Sequence, residues 1–309
     1  MFDYDFRVPE QKRVRLIIHT DCKNEADDQF AVVHQLLTPK LDVRGILAAH
    51  FEVGQKRYPA GTTAQASLDE INLLLDLMGI PGAYPVRLGS SVPLKDVRTP
   101  SPSPAAEFII EEALRDDPRP LFIGMQGSLT DLASAILMEP RICQRMTAIW
   151  IGGGVYPKGN QEFNLMQDIN AANVVFASSM PLWQVPQNVY KQFSVTLAEL
   201  QLKVKPCGRI GEYLFRQMAD LNLRLADNPD WPHGETWGLG DHGVIAALME
   251  ERKRWDHWTM LPAPAVNPED MTYIHDTGYR PIRVYSVLDA RTTLEDMFAK
   301  LQIHFGGKG

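Results

Sequence analysis

The amino-acid sequence predicts an α/β protein, with an open, mostly parallel sheet wound by helices on both faces and a more helical C-terminal third. Three observations predict it. Short, largely apolar runs such as VRLIIH (14–19), PLFIGM (120–125) and TAIWI (147–151) have the length of strands buried on both faces. Between such runs lie segments with apolar residues at helical spacing, the pattern of crossover helices joining parallel strands. Polar loops rich in aspartate, asparagine or glycine follow several of the runs, and open sheets of this kind bind ligands beyond the carboxyl ends of their strands.

The elements follow in order. Residues 14–19 form the first strand and open into a polar loop, 20–27. A helix over 28–37 buries Phe30, Val33, Leu36 and Leu37, with Asp27 or Asp28 as its cap. Residues 41–49 read as a second strand, and 67–78 as an amphipathic helix with Leu68, Ile71, Leu74, Leu75 and Met78 inward. Six prolines make 81–104 a long irregular excursion. Alternation resumes with a helix at 107–114, strand 120–125, helix 129–138 and strand 147–151, which runs into Gly152–Gly154. A helix over 168–178 takes Asp168 as its cap, and 181–185 is strand-like. Helices are expected at 196–203, 209–221 and 241–250, then a strand at 281–288 and a closing helix. The 309 residues are read as one domain, 1–309.

Composition narrows the function classes. A net charge of −7 and no Lys/Arg cluster exclude the electrostatic footprint of a nucleic-acid binder. No apolar run reaches the ~20 residues that a membrane span needs. Cys22, Cys143 and Cys207 are widely spaced, which suits a reducing, cytoplasmic setting.

Three constellations carry chemistry. The first follows the first strand: Asp21, Glu25, Asp27 and Asp28 place four carboxylates within eight residues. Their mutual repulsion is relieved by a hard divalent cation, which prefers oxygen ligands. A solvated turn with a helix cap is the plainer reading of Asp27-Asp28 alone; Asp21 at the strand end tips the balance to a metal. The second is Gly152–Gly154 with Asn160, Glu162, Asn164 and Asp168, whose side chains suit sugar hydroxyls. The third is Trp237-Gly-Leu-Gly-Asp241-His242, where Asp241 opens a helix and is, in isolation, simply its cap.

In order along residues 14–250, these segments resemble the inosine/uridine-type nucleoside hydrolases. Asp21 and Asp27-Asp28 resemble that family's N-terminal aspartate motif, and Gln126-Gly-Ser-Leu-Thr-Asp131 its Leu-Thr turn. Glu162-Phe-Asn164 resembles its Glu-Phe-Asn stretch, and Asp241 its late aspartate. The resemblance implies a Rossmann-like sheet, a nucleoside substrate, a bound calcium ion and a homo-oligomer. It implies Asp21, Asp28, Asp241 and the Gln126 carbonyl as metal ligands, with Asp21 also the general base that deprotonates the attacking water. Asp27, Asn160, Glu162 and Asn164 would grip the ribose, with Trp237 and His242 on the side of the base.

The chain also departs from the family's Asp-x-Asp-Pro-Gly-x-Asp-Asp pattern. His19 stands at the first aspartate, and Cys22–Ala26 lengthens the turn by two residues, so that Asn24 or Glu25 can face the ion. Gly240 stands where many members have a histidine that protonates the leaving base, and Ser101-Pro-Ser-Pro where another histidine is usual. Trp231, Trp237, His233 and His242 remain alternatives on that side. These departures motivate a second reading, a non-catalytic relative that binds a ribosyl sugar through the same ion. A magnesium phosphotransferase built on the same loop leaves the Glu-Phe-Asn segment without a role.

Overall fold

The computed structural model describes residues 2–228, 234–249 and 256–307. Six strands alternate with helices through its first part: β1 (Val14–Thr20), β2 (Leu41–Ala48), β3 (Val86–Leu88), β4 (Leu121–Gln126), β5 (Thr147–Ile151) and β6 (Leu182–Val185). The helices between them are α1 (Asp28–Leu36), α2 (Thr63–Leu77), α3 (Pro104–Leu114), α4 (Thr130–Met138), α5 (Phe163–Gln167) and α6 (Ile169–Ala177). The strands lie parallel in the order β3-β2-β1-β4-β5-β6, which is the doubly wound order with its switch point between β1 and β4.

After β6 come α7 (Gln187–Tyr190), β7 (Ser194–Thr196), α8 (Leu197–Glu199), α9 (Gly208–Arg224), β8 (Thr236–Gly238) and α10 (His242–Met249). The chain then returns to the sheet through β9 (Trp258–Pro262), β10 (Ala265–Val266), β11 (Tyr273–Ile274) and β12 (Pro281–Tyr285), and closes with α11 (Ala290–Phe305). β12 extends the sheet parallel to β6, and β9 pairs with it antiparallel at the edge. The mostly parallel sheet flanked by helices is the predicted fold.

Side chains on a strand point alternately to the two faces, and β1 shows the consequence. Leu16 and Ile18 join the core that includes Phe30, Leu74, Leu214, Val244 and Met297. Ile17 joins the other, with Ile109, Ile123, Leu132 and Phe176. The same alternation sends Thr20 to Asp28 and His19 to Asp131. Burial of β1 on both faces is why its sequence is a nearly unbroken apolar run.

Several element boundaries differ from expectation. β3 lies inside the proline-rich excursion, α2 starts at Thr63, and a single turn, α5, precedes α6. The helix expected over 196–203 is α8 followed by a π-turn at Leu200–Val204. Asp168 caps α6 as expected, accepting the Ala171 N–H at 2.8 Å. Asp27 occupies the cap position of α1 but makes no side-chain cap bond; its carboxylate instead accepts the Asp241 N–H at 3.4 Å. Among the described residues, no helix is long and apolar enough to cross a membrane. All three cysteines are buried free thiols.

Candidate active site

The carboxyl ends of β1 and β4 flank the switch point, and the chain places Asp21 directly after one and Gln126 last on the other. Their neighbours open a cavity of ≈ 450 Å³. Gly127 is what lets Asp21 in: a Cβ there would stand 3.0 Å from the Asp21 Cγ. Asp27 and Asp28 enter from the start of α1, and Asp241 enters just before α10. Glu162 and Asn164 come from the start of α5, and Trp237 comes from β8.

One oxygen from each of Asp27, Asp28 and Asp241 lies within 4.8 Å of the others. Asp21 lines the same cavity but is not part of that trio. Asp28 also accepts a hydrogen bond from the Thr20 hydroxyl. Burial pushes the carboxyls of Asp28 and Asp241 up from the usual carboxylate range, and repulsion from the other aspartates adds to it. Asp21 is raised in the same way, by burial first and then by Asp28, Glu25 and Asp27. Its Oδ2 is buried without a hydrogen-bond partner. Oxygen-only donors that repel one another, beside a bare carboxylate oxygen, fit a hard divalent cation.

Glu162 is held tightly. Its Oε2 accepts the N–H groups of Gly153 (2.7 Å) and Leu165 (2.9 Å), and its Oε1 accepts the Tyr190 hydroxyl at 2.8 Å. The Asn164 amide donates to the Ile151 carbonyl at 2.8 Å. Gln126 lines the cavity while its side-chain oxygen accepts from Gln35 at 2.7 Å.

Two expected residues stand elsewhere. Asn160 does not line this cavity. Its amide closes the preceding loop, accepting the Val155 N–H and donating to the Gln161 carbonyl and Gln187. His242 is a correction: it is fully buried, with Nε2 3.2 Å from the Met297 sulfur and its ring beside His34 and Phe193. One residue past Asp241, the helix has already turned that side chain into the core. Trp231 and His233 lie outside the described residues.

His19, in place of the family's first aspartate, is buried on the opposite face of β1, with Nε2 3.0 Å from Asp131. Asp131 also accepts from Ser103 (2.6 Å) and the Ser90 N–H (2.9 Å). The imidazole therefore anchors α4 and lies outside the cavity.

Asn24 and Glu25 of the lengthened turn do line the cavity, and so do Phe163, Gln187, Tyr190, Lys191 and Ser194. Gln187, Tyr190 and Lys191 were missed from sequence. They follow the carboxyl end of β6, the place where an open sheet puts ligands, and Pro186 marks that exit.

Comparison with known proteins gives the family to which the chain belongs. The sequence model described as "Inosine-uridine preferring nucleoside hydrolase" matches residues 16–295. The chain is 30% identical to uridine nucleosidase 1 of Arabidopsis thaliana, with 94% of each chain covered. It is 28% identical to the pyrimidine-specific ribonucleoside hydrolase RihA of Citrobacter koseri, covering 91% of this chain and 96% of that one. In fold it resembles the purine-preferring ribonucleoside hydrolase of Gardnerella vaginalis, with a TM-score of 0.74 at 20% identity over 94% of this chain and 99% of that one. With 280 of its residues under one family description, the chain belongs to the inosine-uridine preferring nucleoside hydrolase family.

Proposed function

We propose that this protein is a calcium-dependent ribohydrolase that cleaves the N-glycosidic bond of a nucleoside or related N-ribosyl compound, with Asp21 as general base. The observation that carries the reading is the convergence of Asp27, Asp28 and Asp241 in one cavity with Asp21, Glu162 and Asn164. Family membership supports the reaction class: these are N-ribohydrolases of nucleosides. The buried free thiols suit a cytoplasmic setting, and a homo-oligomer is part of the same proposal.

Asp27, Asp28 and Asp241 would hold the cation, with Gln126 beside them. When bound, a hard divalent cation supplies Lewis acidity and a charge that the acidic cavity otherwise lacks. Asp21 takes a proton from the attacking water through its Oδ2, which no group of the protein occupies. The water oxygen bonds to the anomeric carbon as the bond to the base breaks, and the electron pair leaves with the base. Positive charge develops on the sugar, as in other glycoside cleavage. Glu162 and Asn164 bind the sugar hydroxyls, and the Glu162 carboxylate stabilises that charge. Trp237 supplies an apolar wall for the departing base.

The test is incubation with calcium and a panel of uridine, cytidine, inosine and adenosine, read as free base and reducing sugar. The names of the sequence relatives put the pyrimidine nucleosides first. Release of base from at least one nucleoside, lost on chelation, is expected. No turnover on any of them, alongside saturable stabilisation by ribose, would replace hydrolysis with sugar binding.

A further inference from the structure

Tyr190 ends α7, the short turn beyond β6, and belongs to none of the three constellations read from the sequence. It touches two of them. Its hydroxyl donates to Glu162 Oε1 at 2.8 Å, whereas the other bond to that oxygen, from the Asn164 N–H, is long at 3.2 Å. The backbone fixes Oε2 through two short bonds, so the orientation of Oε1 depends chiefly on the phenol. Burial, followed by the charge of Glu162, pushes the Tyr190 hydroxyl well up, which keeps it a donor.

The ring of Tyr190 lies against Gly240, the residue before Asp241. A Cβ at 240 would stand 2.9 Å from its Cδ2, 3.5 Å from Cγ and 3.6 Å from Cε2. Real side chains do not approach a ring at 2.9 Å without one of them moving. The phenol and a side chain at 240 therefore compete for one space, and this chain has filled it from α7.

We propose that Tyr190 is a positioning residue for Glu162, and that with Gly240 it sets the specificity of the leaving-group end by putting a phenol wall where a side chain at 240 would stand. This rests on the reading of Glu162 as a sugar-binding carboxylate. The hydroxyl orients the carboxylate toward the sugar, and the ring limits the room open to the departing base. Because one side chain does both, a change at 240 reaches the sugar through Tyr190.

The experiment measures two quantities, binding of D-ribose by calorimetry in calcium and kcat/KM on the best nucleoside of the panel. Tyr190→Phe, which keeps the ring, is expected to weaken ribose about tenfold, as loss of a hydrogen bond to a charged group does. It should raise KM more than it lowers kcat. Added to Glu162→Gln, it should cost no more than Glu162→Gln alone, because the group it acts through is already changed. Gly240→Ala should weaken ribose in the wild-type background and have no further effect in Tyr190→Ala. Wild-type affinity in Tyr190→Phe, or a loss that adds fully to that of Glu162→Gln, overturns the proposal; so does an equal effect of Gly240→Ala in both backgrounds. A wild type that binds ribose but cleaves no nucleoside defeats only the hydrolase reading, and the ribose comparison still decides the role of Tyr190. A wild type that does neither defeats both.

Discussion

Asp21 carries a buried oxygen that nothing in the fold satisfies, and a carboxyl that burial and three neighbouring carboxylates hold protonated more readily than usual. A residue arranged this way destabilises the metal-free fold at neutral pH, and the general-base role proposed for it accounts for its being kept there. Asp21→Asn keeps the shape and removes both the repulsion and the base. It should lower kcat by about 10²–10⁴-fold, the range for a lost general base, and raise the melting temperature of the chelator-treated protein. A variant with near wild-type kcat would take the proton transfer away from Asp21. Much of this site was readable one residue at a time, because Asp21, Asp28 and Asp241 each follow a strand or open a helix in the sequence itself. Tyr190 was not, since a single tyrosine after a strand carries no spacing signal until the sheet brings it to Glu162. His242 shows the opposite failure: adjacency to Asp241 in the chain put it in the core, since neighbouring helical residues do not share a face.

The turn between β1 and α1 shows how a departure from the family pattern is made tolerable. Two added residues leave carbonyls to satisfy, and the surrounding elements satisfy them. Arg57 donates to the carbonyls of Lys23 (2.6 Å) and Asn24 (2.7 Å), and Gln217 of α9 donates to Ala26 (2.7 Å). The Lys23 ammonium reaches Glu70 of α2 at 2.7 Å. The turn is thereby held with Asn24 and Glu25 on the cavity side. Arg57→Ala frees two carbonyls at an exposed position, where water replaces the lost bonds at a net cost of about 0.5–1.5 kcal/mol each. The expected result is a small fall in melting temperature, with kcat/KM down roughly tenfold because a misplaced loop displaces Asp27 and Asp28. Unchanged kinetics would show that the turn holds its shape without Arg57. At this scale the longer helices were legible from their apolar period. β3, with three residues among prolines, and α5, with five, were too short to show a period, and α5 is specified by Glu162 capping its first N–H groups.

The order of the sheet was implied by alternation and right-handed crossovers. Antiparallel β9 was not, because an edge strand is defined by its partner β12 and carries no pattern of its own. Closure of the fold also brings together groups that are distant in sequence, and some of these set its response to pH. His34 of α1 is fully buried and donates to Asp296 of α11 at 2.7 Å, with Lys300 and His242 also nearby. Burial outweighs the carboxylate and lowers its pKa to about 4, and burial takes His50 to about 4 as well. Above pH 6.5 both imidazoles are neutral whether the chain is folded or not. Between pH 6.5 and 4 the unfolded chain takes up protons that the folded one refuses, so stability falls, by up to about 3 kcal/mol per histidine. The acidic cavity works in the opposite direction when no metal is bound. Its carboxyls are raised, so the folded protein binds protons first and gains stability as the pH falls from neutral toward the ordinary carboxylate range. A bound cation competes for the same oxygens and keeps them ionised. Melting temperatures measured from pH 8 to pH 5, with calcium and with chelator, should therefore converge: the gain from calcium is largest at high pH and shrinks as protons replace it, while the calcium-bound protein itself loses stability below pH 6.5. A calcium increment that stayed constant across that range would mean that Asp27, Asp28 and Asp241 are not what holds the ion.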